Sequence, residues 1–178
     1  MRAEFKQSAE PVDILLGEVM PERNPSTGQQ MLRRLDTQTL TRMYEYGTFN
    51  VAAFERVPRA YYVPSNLENV IERLEAHGIH TELLDEMFRG EVQQFRIESF
   101  SSAEREFQGH RERTLTGSYG VTRAVLAPGT RLVPLDQPLG RLVFMLLEPL
   151  SDDGFVNWNL LDDVLVGASL YPIVRTVE

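Results

Sequence analysis

Cysteine is missing altogether from the 178 residues. That excludes disulfides and thiolate-held metals, and it leaves the redox compartment unspecified. Tryptophan occurs once and histidine three times. No apolar run approaches the roughly 20 residues that a membrane-spanning helix needs; the longest, Leu142 to Leu147, is far shorter. The opening residues, Met-Arg-Ala-Glu-Phe-Lys-Gln-Ser, lack the apolar core of a secretory signal. Positive charge is short as well. A formal net charge of -8 argues against a phosphate-backbone binder, which would carry a basic face, so nucleic acid is not an expected partner. Gly117-Ser118-Tyr119-Gly120 is neither a Gly-x-Ser-x-Gly nucleophile elbow nor a glycine-rich phosphate loop. Apolar residues at 42% and charged residues at 25% are ordinary for a folded domain. The length predicts one domain over 1–178, in which 1–36 form an extended or irregular N-terminal segment.

The stretch from Val133 to Asn159 organises the rest, because it joins the longest apolar run to the single tryptophan through an acidic turn. Leu139, Leu142, Val143, Leu146 and Leu147 recur at helical spacing, and Phe144 and Met145 widen the stripe. Pro138 suits a first helical turn, and Pro149 disfavours helical geometry at Glu148. The spacing therefore predicts a helix over about 137–148. A second helix is predicted over about 65–77. Ser65 and Glu68 are spaced as a capping box, Leu67, Val70, Ile71 and Leu74 form the apolar stripe, and Gly78 supplies the stop.

Elsewhere the pattern is that of strands. Val12, Ile14 and Leu16 alternate, 22–28 read as a polar loop, and Thr37 to Asn50 are rich in Thr, Tyr and Phe. Ala60 to Val63 lie between prolines, with Tyr61 and Tyr62 on opposite faces. Further strands are predicted at Ile79–Leu84, Val92–Phe100, Gly120–Leu126, Thr130–Pro134 and Leu170–Val177, with 101–113 as a polar connection and Leu160–Val166 as a short helix. Val57 to Pro64 echo Ala127 to Pro134 at an offset of 70, each feeding a helix. The fold class that follows is α+β: a mostly antiparallel sheet packed against two main helices, about 65–77 and 137–148.

The segment Pro134 to Asn159 resembles the pattern P-L-D-Q-P-L-x-R-L-x-x-x-L-L-E-P-x-S-D-D-G-x-V-x-W-N. That pattern belongs to the region following the catalytic domain in long bacterial members of the carboxypeptidase A-like zinc metallopeptidases. Pro58 to Pro64, with the helix after them and Gly78-Ile79, match more loosely. Such peptidases hold zinc through a His-x-x-Glu pair and a distant His. Here His77, His80 and His110 are followed at the third place by His80, Leu83 and Arg113, so no catalytic residue carries over. The resemblance implies a non-catalytic C-terminal accessory domain, with zinc and the peptide-hydrolysing machinery in a catalytic domain upstream in the same polypeptide. It implies a periplasmic or secreted parent.

Four local constellations carry residues with chemical potential. His77 and His80 share a metal only if the backbone stays helical, which Gly78 opposes. Ser151-Asp152-Asp153-Gly154 lacks the acidic spacing of a calcium loop and reads as a turn with Gly154 at positive φ. Trp158 flanked by Asn157 and Asn159, beside Asp152 and Asp153, is a candidate binding surface, since an aromatic ring beside amides suits a peptide or a sugar. A free-standing peptide- or glycan-binding module is therefore the alternative to the accessory domain. A hydrolase pairing His110 with a carboxylate is the remaining reading.

Overall fold

The computed structural model describes residues 2–177, with no account of the side chains of Arg2 and Ala53. Contacts divide it into two compact units, Ala3–Ala52 and a larger one from Ala53 onward.

The N-terminal unit is built of two strand pairs. Strand β1 (Arg2–Lys6) lies beside β4 (Thr48–Ala53), where Phe5 and Phe49 stack at 4.7 Å. Strand β2 (Val12–Arg23) pairs antiparallel with β3 (Gln30–Met43) from Val12 opposite Met43 to Arg23 opposite Gln30, with a bulge between Gly17 and Val19. Asn24 closes the turn by accepting the amides of Ser26 and Thr27 through Oδ1, and Gly28 takes a φ of 70°. The polar loop predicted at 22–28 is thus the tip of a long ribbon.

The larger unit carries a six-stranded antiparallel sheet. Its strands are β5 (Ala60–Val63), β6 (Glu82–Leu83), β7 (Phe88–Ser102), β8 (Arg113–Leu126), β9 (Arg131–Pro134) and β10 (Val174–Thr176), in the order β6-β9-β5-β10-β7-β8. Helix α1 (Glu68–Ala76) joins β5 to β6, and α2 (Gly140–Leu147) leads from β9 towards β10 through α3 (Asp162–Leu165). Each strand-helix-strand unit therefore spans one strand of the other, which is a split βαβ arrangement used twice. The β7–β8 hairpin is inserted between the two units and extends the sheet beyond β10. Tyr62 faces Leu132, and Tyr61–Val133 mirrors Val63–Arg131. Tyr62 and Leu132, 70 positions apart, thus face each other, and the pairs on either side are related through them, the register that a two-fold relation between β5 and β9 requires.

Alternation along the strands sorts the core. Tyr61, Val63, Phe95, Val133 and Ile173 meet Val70 and Leu74 of α1 and Val143 and Leu147 of α2 in the main cluster. Tyr62, Val92 and Val174 form a smaller cluster on the opposite face, with Tyr62 stacked on Phe88 at 5.2 Å. Full burial of each such aliphatic side chain stabilises the fold by about 1.5–3 kcal/mol.

The α+β expectation needs correction. The described residues are predominantly β, with helices of 9, 8 and 4 residues. The polar connection expected at 101–113 lies between the end of β7 at Ser102 and the start of β8 at Arg113, whereas much of 1–36, expected to be extended or irregular, belongs to the paired strands β2 and β3. Both helices are shorter than predicted. The Ser65–Glu68 capping box does not form: α1 starts at Glu68 after Leu67, which makes no side-chain cap, and the amide of Val70 is taken by Asn69 Oδ1. Its end is as expected, with Gly78 at φ 74° and Ile79 N–H bonded to Leu74 O. Gln137 replaces a conventional cap before α2. Its carbonyl accepts the amide of Gly140, and its side chain ties Pro134 O to His80.

Candidate interaction surface

Helix α2 presents three environments: a buried carboxylate at its C-terminus, an apolar outer face, and the acidic turn that follows it.

Glu148 ends α2 in an extended conformation (φ -73°, ψ 124°) imposed by Pro149, and its side chain is fully buried. The Tyr61 hydroxyl donates to Oε2 at 2.6 Å, and Arg175 Nη1 lies 3.6 Å from the same oxygen. Arg175 is in turn held by Gln93 Oε1 at 2.6 Å, Arg56 O at 3.2 Å and Glu55 Oε1 at 3.1 Å, with its guanidinium 3.4 Å over the Tyr119 ring. Strand pairing explains the convergence, since Arg175 sits opposite both Tyr61 and Gln93. Burial raises the Glu148 pKa, against the lowering effects of the Tyr61 bond and Arg175. Desolvation pushes the Tyr61 and Tyr119 phenols far above their usual range, so both remain neutral. Glu148 Oε1 and the Tyr119 hydroxyl are buried without a well-formed hydrogen bond, although Tyr119 lies close enough to lower the Glu148 pKa. Sequence reading missed this network, whose members are spread from 55 to 175.

The turn after α2 uses most of the residues predicted to bind. Trp158 donates its indole N–H to Asp153 Oδ1 at 2.6 Å, and the His110 ring lies tilted against the indole, 4.3 Å between centroids. Neither buried ring nitrogen of His110 has a hydrogen-bond partner, so no carboxylate is bonded to it as a base pair would require. Asn157 is buried, and its carbonyl accepts the Arg113 amide. Asn159 takes a φ of 65° and donates to Arg111 O and to Asp162, which also receives a bidentate contact from Arg113 at 2.7–3.1 Å. The positive φ predicted at Gly154 falls at Asn159 instead. Gly154 is required for another reason: a Cβ there would lie 2.7 Å from Met145 O. The structure thus joins Asp153 to Trp158 and Asn159 to the Arg113–Asp162 pair, while Asp152 faces elsewhere.

Asp152 faces a groove of about 520 Å³ along the outer side of α2, with Val57, Leu135, Leu142, Phe144 and Met145 as its apolar surface and Glu55 and Arg141 also at its edge. The volume is within the usual range of ligand pockets.

His77 and His80 do not form a site. His77 Nδ1 is 2.7 Å from Arg73 O, and His80 Nε2 lies 3.8 Å from Glu82. Zinc, which the resemblance implies for a peptidase, finds no fitting donors here: among the described residues no three His, Cys, Asp or Glu side chains converge. No described helix is long and apolar enough to cross a membrane.

No family model matches the chain, and no solved structure does. Curated relatives do match. Carboxypeptidase 2 of Trichophyton rubrum is 29% identical over 118 residues, which is 66% of this chain but 22% of that protein. Carboxypeptidase 2 of Trichophyton tonsurans and of Trichophyton equinum are each 28% identical over the same share. This chain is thus distantly similar to a region of carboxypeptidases, and it spans about a fifth of their length.

Proposed function

We propose that the chain is the non-catalytic C-terminal accessory domain of a carboxypeptidase-like zinc metallopeptidase. The observation that carries this reading is the partial match itself: 118 residues align with only 22% of a carboxypeptidase, which leaves most of such a protein for the catalytic domain. The absence of a converging ligand set among the described residues fits the same division. In this reading zinc and the groups that hydrolyse peptides belong to a catalytic domain upstream in the parent polypeptide, as in the long bacterial members that the Pro134–Asn159 segment resembles. The parent then works in the periplasm or outside the cell. The chain's role is to support or flank the catalytic domain and shape access to its cleft.

The alternative, a free peptide- or glycan-binding module centred on Trp158, is less well supported. The indole N–H is already bonded to Asp153, one ring face meets His110, and Asn157 is buried.

The test compares the isolated chain with the native polypeptide recovered by an antibody against it. The isolated chain, dialysed against zinc, retains no stoichiometric metal and releases no C-terminal residue from a blocked dipeptide, whereas the native polypeptide does both. Turnover by the isolated chain would defeat the proposal.

A further inference from the structure

The α2 groove is a concave apolar surface with charged residues among its lining. Val57 is 59% and Met145 41% exposed, yet Phe144 beneath them is only 6% exposed, so the concavity is backed by packed core. Glu55, at one end, is held by Arg175. Arg141 and Asp152, exposed at the edge, make no hydrogen bond or ion pair with any described residue, not even with each other. The other polar residues around the acidic turn, Asp153, Asn159 and Asp162, are all satisfied internally.

We propose that this groove docks a short peptide segment, its large apolar side chains on the Val57–Leu142–Met145 surface, its carboxylate on Arg141 and its basic side chain at Asp152. The charges of both signs select a partner that carries both, as a polypeptide does. A second copy of the chain is the rival occupant, and the sedimentation arm of the test separates it from a peptide. The groove's one aromatic ring, Phe144, is too buried to offer a sugar a face to stack on, and a chain of net charge -8 is repelled by anionic lipid. The volume holds two or three large side chains. The inference stands whether or not a catalytic domain precedes the chain.

The test is fluorescence anisotropy on the full chain with two fluorescein-labelled heptapeptides, Gly-Lys-Leu-Phe-Leu-Asp-Gly and its charge-exchanged form Gly-Asp-Leu-Phe-Leu-Lys-Gly. Controls carry three alanines in place of Leu-Phe-Leu. At least one Leu-Phe-Leu peptide binds saturably and at least tenfold tighter than its alanine control. Met145→Lys, at an exposed position, weakens it at least tenfold with an unchanged melting temperature. The double exchange Arg141→Glu with Asp152→Lys reverses the preference between the two charge orders. Three results would overturn the proposal: equal binding of the leucine and alanine peptides, binding that is indifferent to Met145→Lys, or a dimer in sedimentation that Met145→Lys dissociates, which would assign the groove to a second copy.

Discussion

Tyr61→Phe removes one oxygen atom from a fully buried ring and leaves the packing of that ring in place. The atom lost is the donor 2.6 Å from Glu148 Oε2. After the change that oxygen keeps only Arg175 Nη1 at 3.6 Å, and Oε1 already lacks a well-formed bond. A hydrogen bond to a charged group contributes about 1.5–3 kcal/mol, so the substitution should destabilise the larger unit by about 2 kcal/mol. For a chain of this length that is roughly 4–8 °C in melting temperature. Urea unfolding at pH 7, followed by the emission of Trp158, measures it. The same substitution made in a Glu148→Gln background, where the acceptor is neutral, should cost about 1 kcal/mol. The difference between the two backgrounds isolates the charge-assisted part. A loss below about 0.5 kcal/mol in the wild-type background would show that the Glu148 carboxyl does not depend on Tyr61, and equal losses in both would show that the bond carries no charge assistance.

Because burial raises the Glu148 pKa, the fold holds that proton more tightly than the unfolded chain does. The associated stability is full below the ordinary carboxylate pKa and is lost as pH rises towards the raised folded value; Glu148→Gln should flatten that decline in melting temperature against pH. Gly140→Ala would place a Cβ 1.9 Å from Leu135 O and should cost about 3 kcal/mol in thermal unfolding, whereas Gly78→Ala, with open space but φ 74°, should cost about 1 kcal/mol. At Asn159, with φ 65°, substitution by glycine should cost about 1 kcal/mol for the lost bonds to Arg111 O and Asp162, and by alanine about 1 kcal/mol more for the left-handed backbone. His110→Ala uncovers one face of Trp158 and should shift its emission to the red.

Local grammar made part of the fold legible. The apolar stripe at Leu142, Val143, Leu146 and Leu147 marked α2, Pro149 set its end, and Gly78 marked the end of α1. The prolines around Ala60–Val63 and the offset-70 echo pointed to the two central strands, which turn out to be antiparallel neighbours. The β2–β3 ribbon was harder to read beyond Leu16, because exposed apolar residues such as Val19, Met20, Met31 and Leu32 are interleaved with cross-strand pairs such as Arg33–Glu22 and Thr37–Glu18 and leave no clean alternation. The candidate site was legible only in composition. Trp158, Asp153 and Asn159 were singled out, but their bonds turn inward to the fold. The Tyr61–Glu148–Arg175 contacts depend on the pairing of β5 with β10, positions more than 100 residues apart, which no local pattern records. Arg141 and Asp152 stood in the resembling segment, yet only the fold shows that both border one groove.

The central claim, that this chain is part of a larger peptidase, is tested most directly by the mass of the native polypeptide in its source cells, read with an antibody raised against the chain. The expected result is a band well above the 20.3 kDa of these 178 residues, carrying carboxypeptidase activity that chelation of zinc abolishes. A sole band at 20.3 kDa, with no longer precursor during synthesis, would contradict it.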